Sequence, residues 1–181
     1  MIRLRTLTLK DLEAYQYWQL PHHKYHTLNG PYFVKESAVE VEVRMTQLRE
    51  ALLNGTNIAH KKIISNEFDA VIGEVSWYWK SQETFWLEIG IIIFDEQYWG
   101  QGIGFSALRL WIAEIFAEKE NIVRLGLTTW SGNIGMMKLA EKLGMKKEAE
   151  YRKARIVAGK YYDSVSYGIL KSEWLEQEKH L

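Results

Sequence analysis

The chain has 181 residues, 47% hydrophobic and 25% charged, the make-up of a globular protein able to bury a substantial core. Lysine plus arginine equals aspartate plus glutamate at 23 each, so no global field draws the chain to nucleic acid or to a membrane surface. Cysteine is absent, which removes disulfides, thiolate catalysis and cysteine-ligated zinc together.

No basic leader with an apolar stretch opens the sequence, and no apolar run approaches the roughly 18 residues of a membrane span, so the cytoplasm is the expected location. "IRLRTL" (residues 2–7) alternates as a half-buried strand does. Thr8 followed by Asp11 has the spacing of a capping box, predicting a helix to about residue 20 that Pro21 ends. "HHKYHTLNGPYF" reads as a loop turning at Asn29-Gly30-Pro31, and a second helix fits residues 36–53, closed by Asn54-Gly55. "NIAHKKIIS", "DAVIGEVSWYWK" and "TFWLEIGIIIF" are β-rich runs that predict an antiparallel meander. After the glycine cluster "WGQGIG", Leu108, Trp111, Ile112, Ile115 and Phe116 form the stripe of a core-facing helix. "NIVRLGLTTW" is a further strand, with a helix after "SGN". "KKEAEYRKARIV" and "YYDSVSYGIL" flank "AGK" as a hairpin, and residues 171–181 make a polar tail. The expectation is one mixed α/β domain spanning residues 1–181, with helices flanking a largely antiparallel central sheet.

Gly100, Gly102 and Gly104 lie between a buried strand and an amphipathic helix, where a loop without Cβ atoms can bring backbone N–H groups onto an anion. The alternative is a turn whose glycines only set φ. The spacing G-x-G-x-G fails the dinucleotide fingerprint, and no Gly-Lys-Ser/Thr is present for a Walker loop.

"WGQGIG" resembles the acetyl-coenzyme A loop of the GNAT family of N-acetyltransferases, Arg/Gln-x-x-Gly-x-Gly/Ala, with Trp99 in the Arg/Gln place. Tryptophan there is common in the branch that includes the ribosomal-protein alanine acetyltransferases. "NIGMMKLAEKLGM" is similar to the family's second motif, "GKYYDSVSYGIL…EW" resembles the branch's last strand, and the element order is the family's over nearly the whole chain. The resemblance implies the GNAT acyl-CoA N-acyltransferase fold, with Trp99, Gly100, Gln101, Gly102, Ile103 and Gly104 forming the coenzyme loop. It implies that the amides of Gln101, Gly102, Ile103 and Gly104 hold the pyrophosphate. The backbone of Ile92, Ile93 and Phe94 would pair with the pantetheine arm, an amide near Ile92 would polarise the thioester carbonyl, and Asn133 would lie beside the pantetheine. Acetyl-CoA is then the cosubstrate, with no metal.

An alkylammonium acceptor must lose a proton before it attacks a thioester, so a base is useful. Glu88 is a carboxylate within the otherwise apolar "WLEIGIIIF", and charges are seldom buried without reason. It lies where histone-acetylating relatives carry their general base; a lysine-paired or sheet-edge glutamate is the alternative. Glu74 is the second candidate, as a base or as a site for a cationic acceptor. Tyr32 and Phe33 border the acceptor by resemblance, or staple their loop to the core. Trp77 and Trp86, with Trp79, offer an acceptor wall or core packing. His22 and His26 have helical metal-ligand spacing but lack a third ligand. The family's serine and tyrosine proton donors align with Met136 and Ala140, neither of which can donate, leaving water, Tyr98, Tyr162 or no general acid.

The expected function is acetyl transfer from acetyl-CoA to a primary amine, a protein N-terminus or a small molecule, by direct attack in a ternary complex. The alternative is a coenzyme A-binding module or sensor without transfer. No nucleic-acid or membrane partner is expected, and the aromatic content leaves room for a homodimer.

Overall fold

The computed structural model describes residues 1–56 and 58–179. Among the described residues, seven strands, β1 (Arg3–Arg5), β2 (Lys61–Ser65), β3 (Val71–Ser81), β4 (Trp86–Ile93), β5 (Arg124–Trp130), β6 (Lys146–Val157) and β7 (Lys160–Leu170), form one sheet in the order β1-β2-β3-β4-β5-β7-β6. The chain divides into two compact units, Met1–Ser76 with Ile91–Ile103, and Trp77–Gly90 with Gly104–Leu181. Strands β3 (Val71–Ser81) and β4 (Trp86–Ile93) contribute residues to both.

In the first unit, β1 (Arg3–Arg5) pairs antiparallel with β2 (Lys61–Ser65), and β2 with the start of β3, where Ile63 faces Glu74. Helices α1 (Leu12–Gln19) and α2 (Ala38–Leu53) supply Leu12, Tyr15, Val41 and Met45 to a core that Ile63, Val71 and Phe94 complete. Each such side chain contributes about 1.5–3 kcal/mol by leaving water. The helix expected from Thr8 opens as a 3₁₀ turn, Leu9–Asp11, before α1 begins. Asp11 accepts from the Thr8 amide at 2.8 Å and from both Arg5 terminal nitrogens at 2.7 and 2.8 Å. Burial alone would raise its pKa, but these donors win and hold it at about 2. Ser37 caps α2 through the capping box with Glu40.

Strand β2 is shorter than expected. Ile58 and Lys61 close a turn (N···O 3.2 Å) where the sequence pattern predicts strand, and Asn57 of that pattern lies outside the described residues. The loop at residues 22–33 contains a 3₁₀ turn, Lys24–Thr27.

In the second unit, α3 (Ile103–Glu118, whose first residue belongs to the other unit) buries Leu108, Trp111, Ile112, Ile115 and Phe116, the predicted stripe. Strand β5 (Arg124–Trp130) starts later than its apolar run, because Ile122 donates back to Lys119 in a turn. It pairs parallel with β4 through Leu87↔Leu125 and Glu88↔Gly126, and antiparallel with β7 (Lys160–Leu170). Strand β6 (Lys146–Val157) forms the expected hairpin with β7, turning at Ala158 and Gly159, both at positive φ. Helix α4 is Ile134–Lys142, and the polar tail is helical as α5 (Lys171–Glu178); its last two residues lie outside those described. No helix among the described residues is long and apolar enough to cross a membrane.

Candidate active site

The end of β4 and the glycine loop belong to the first unit. Phe94 is buried and its amide donates to Ile72 at 2.9 Å, anchoring the strand end. Asp95 caps a 3₁₀ turn, Glu96–Tyr98, by accepting from the Gln97 amide at 2.9 Å. The Trp99 indole N–H donates to the Ile93 carbonyl at 3.0 Å, and its ring packs on the first unit's core. The tryptophan in the Arg/Gln place thus ties the loop back to the strand it leaves. Gly100 and Gly102 sit at φ +72° and +79°, and a Cβ on either would meet nothing within 4 Å. Backbone conformation, not crowding, selects glycine there, and the space over the loop is open. The first amides of α3 have no intrahelical acceptor, and its first turn carries no acidic side chain to compete for them.

Glu74, also in the first unit, is buried and fully engaged. It accepts from the Tyr15 hydroxyl at 2.5 Å and from Lys61 Nζ at 2.9 Å, while Lys61 also donates to Tyr15 at 3.1 Å. Burial pushes the Tyr15 hydroxyl pKa far up, and the Glu74 carboxylate adds to it. This arrangement ties α1, β2 and β3 together.

In the second unit, Glu88 is 3% exposed in the middle of the sheet. Strands β3 and β5 reach its carboxylate directly, and β7 reaches it through Thr128. Tyr78 of β3 donates to Oε2, Thr128 of β5 donates to Oε1 at 3.0 Å, and Ser166 of β7 lies 3.1 Å from the Thr128 hydroxyl. The Lys80 ammonium stands 3.6 Å from Oε1. Gly126, opposite Glu88 in the ladder, makes room for it: a Cβ there would lie 3.1 Å from Glu88 Cγ and 3.5 Å from Trp86 Nε1. Trp86 therefore shares the face of Glu88. Its ring lies under the Arg124 guanidinium at 5.0 Å, and its buried indole N–H has no hydrogen-bond partner.

Trp77 and Trp79 alternate with Tyr78 and Lys80, so they lie on the other face of β3. Their rings meet at 5.6 Å, and Lys119 Nζ stands 4.6 Å from the Trp77 ring. Tyr32 and Phe33 have ring centroids 4.8 Å apart; Phe33 is exposed and covers Gly30. His23 and His26 each donate an Nε2–H to a backbone carbonyl, of Tyr17 (2.7 Å) and of Leu20 (3.1 Å), and burial lowers the pKa of both. The His22 ring lies tilted against that of His23, with centroids 4.1 Å apart.

Asn133 is the N-cap of α4, its side-chain oxygen accepting from the Met136 amide at 3.1 Å. Met136 is half-buried, and Ala140 and Leu143 are buried, so this helix face is an apolar packing stripe. Tyr98 accepts from Asn66 at 3.3 Å, and the Tyr162 ring meets Trp130 edge-on at 4.8 Å.

Tyr78, Lys80, Thr128 and Ser166 are the residues around Glu88 that the sequence pattern left unmarked. For the first two a signal existed, since strand alternation from Trp77 and Trp79 puts them together on the opposite face.

The family described as acetyltransferase (GNAT) domain matches residues 2–146. An uncharacterized N-acetyltransferase of Bacillus subtilis, YnaD, is 27% identical over 121 residues, 66% of this chain and 69% of that protein. The fold is similar to spermidine N-acetyltransferase from Vibrio cholerae solved with CoA and spermine (TM-score 0.74, 18% identity, 96% and 98% of the two chains covered). It is also similar to RimL, a ribosomal L7/L12 α-N-protein acetyltransferase in complex with coenzyme A (TM-score 0.72, 18% identity, 93% of each chain covered). With a strand–glycine loop–helix segment and a family match over most of its length, the chain belongs to the GNAT acetyltransferase family and is an acetyl-CoA-dependent N-acetyltransferase.

Proposed function

We propose that this single GNAT domain, acting in the cytoplasm, transfers acetyl from acetyl-CoA to a primary amine, a protein N-terminus or a small-molecule amine, by direct attack in a ternary complex. The observation that carries the proposal is Glu88, a carboxylate buried in mid-sheet with hydroxyl donors on both oxygens. Glu88 serves as general base, so that the neutral amine attacks the thioester carbonyl. The amides of Gln101, Gly102, Ile103 and Gly104 take the pyrophosphate, supported by the positive φ of Gly102 and the open space above it. The backbone of Ile92, Ile93 and Phe94 takes the pantetheine, with Asn133 beside it, and an amide near Ile92 stabilises the developing oxyanion. The coenzyme leaves as a thiolate, a tolerable leaving group unaided. Among the aromatic residues, Trp86 shares the Glu88 face and is the better acceptor-wall candidate.

The test mixes protein with acetyl-CoA and a panel of free-N-terminus peptides, polyamines, amino acids and aminoglycosides, and follows free thiol. Amine-dependent release is expected. Glu88→Gln should lower kcat by about 10²–10⁴ with acetyl-CoA affinity retained; equal loss of both removes Glu88 as the base. Met136 and the buried Ala140, where the family keeps hydroxyls, favour a second reading, a coenzyme A-binding module. Tight coenzyme binding with no thiol release from any amine would select it.

A further inference from the structure

We propose that Tyr78 is a further catalytic residue that relays the acceptor's proton to Glu88, with Thr128 and Ser166 as positioning residues behind the carboxylate. The proposal rests on Glu88 being the base. Glu88 is only 3% exposed, so an acceptor amine meets its carboxylate through the groups that cover it. Oxygen Oε1 is held by the half-buried Thr128 and flanked by Lys80, and a charged ammonium has no lone pair with which to take a proton. Oxygen Oε2 is held by Tyr78, a residue 49% exposed whose hydroxyl has both a proton to give and lone pairs to accept one.

Counting protons fixes the direction of the chain. An ionised carboxylate only accepts, so Tyr78 and Thr128 both donate to Glu88. The Thr128 hydroxyl has one proton, already given to Oε1 at 3.0 Å, so Ser166 donates to Thr128 at 3.1 Å. Thr128, half-buried and itself backed by Ser166, immobilises Oε1; Tyr78, on Oε2, is the more exposed of the two hydroxyl-bearing residues on the carboxylate. In the transfer, an N–H bond of the ammonium breaks as its proton passes to the Tyr78 oxygen. The Tyr78 O–H bond breaks as its own proton passes to Oε2. The result is a neutral amine, an unchanged tyrosine and a protonated Glu88.

The experiment uses the full chain, acetyl-CoA and the panel amine with the highest turnover, comparing Tyr78→Phe, Thr128→Val, Thr128→Ser and Glu88→Gln. Tyr78→Phe is expected to lower kcat about 100-fold with the KM for acetyl-CoA unchanged. Its solvent-deuterium proton inventory is expected to lose the two-proton curvature of the unsubstituted enzyme. Thr128→Val should cost about tenfold in kcat, which Thr128→Ser restores. If Tyr78→Phe keeps full kcat and the same inventory while Glu88→Gln is inactive, the relay is wrong and the base stands. If Glu88→Gln turns over normally, the base assignment falls first.

Discussion

Gly102 and Gly159 make a matched pair for testing the coenzyme loop. Gly102 lies in the loop at φ +79° and Gly159 in the β6–β7 turn at φ +74°, and an added Cβ at either would meet nothing within 4 Å. Alanine at each position therefore carries the same backbone penalty, about 1–2 kcal/mol for an L-residue in the left-handed region. In a chain of this length that lowers the thermal midpoint by about 2–8 °C. Only at Gly102 does the open space lie over amides assigned to a phosphate. Gly102→Val, which adds β-branching there, should weaken acetyl-CoA binding at least tenfold, or about 1.4 kcal/mol. Differential scanning calorimetry without ligand measures the first effect, and isothermal titration with acetyl-CoA the second. Equal midpoint losses with acetyl-CoA affinity unchanged in Gly102→Val would refute the loop assignment, because the penalty would then be conformational alone.

Two further outcomes follow from the buried ion pairs. Tyr15→Phe removes a donor from the buried Glu74 and should cost about 1.5–3 kcal/mol, read as a lower thermal midpoint with kcat preserved; lost kcat with an unchanged midpoint would make Glu74 catalytic. Asp11 is held at about 2 in the fold against an ordinary 3.8, so its contribution of about 2 kcal/mol is present above about pH 4 and lost as pH falls toward 2. The stability gap between the unsubstituted chain and Arg5→Met, measured by urea unfolding, should narrow over that window; a gap independent of pH would refute the linkage.

The elements were legible where a local pattern is complete. The α3 stripe, the Ser37–Glu40 box and the β6–β7 hairpin each contain their own evidence within a few residues. Strand ends were less legible, because Ile58 and Ile122 are apolar residues spent in turns rather than in ladders. At the site, the sequence marks Glu88 as an anomaly but does not name its partners. Thr128 reaches it, and Ser166 reaches Thr128, from strands far along the chain, and adjacency across a parallel β4–β5 ladder leaves no trace in period-two patterning. The tryptophans of "SWYWK" draw attention by size, although alternation assigns the Glu88 face to Tyr78 and Lys80.

Trp99 has a consequence for spectroscopy. Its indole N–H is bonded to the Ile93 carbonyl, and the Lys24 ammonium stands 5.8 Å from its ring centre. Any displacement of the glycine loop that breaks that bond changes the polarity around one indole among eight, and the emission spectrum with it. The difference in fluorescence between the unsubstituted chain and Trp99→Phe thus isolates the loop's own signal. Ligand arrival at the loop can be timed by stopped flow without a label.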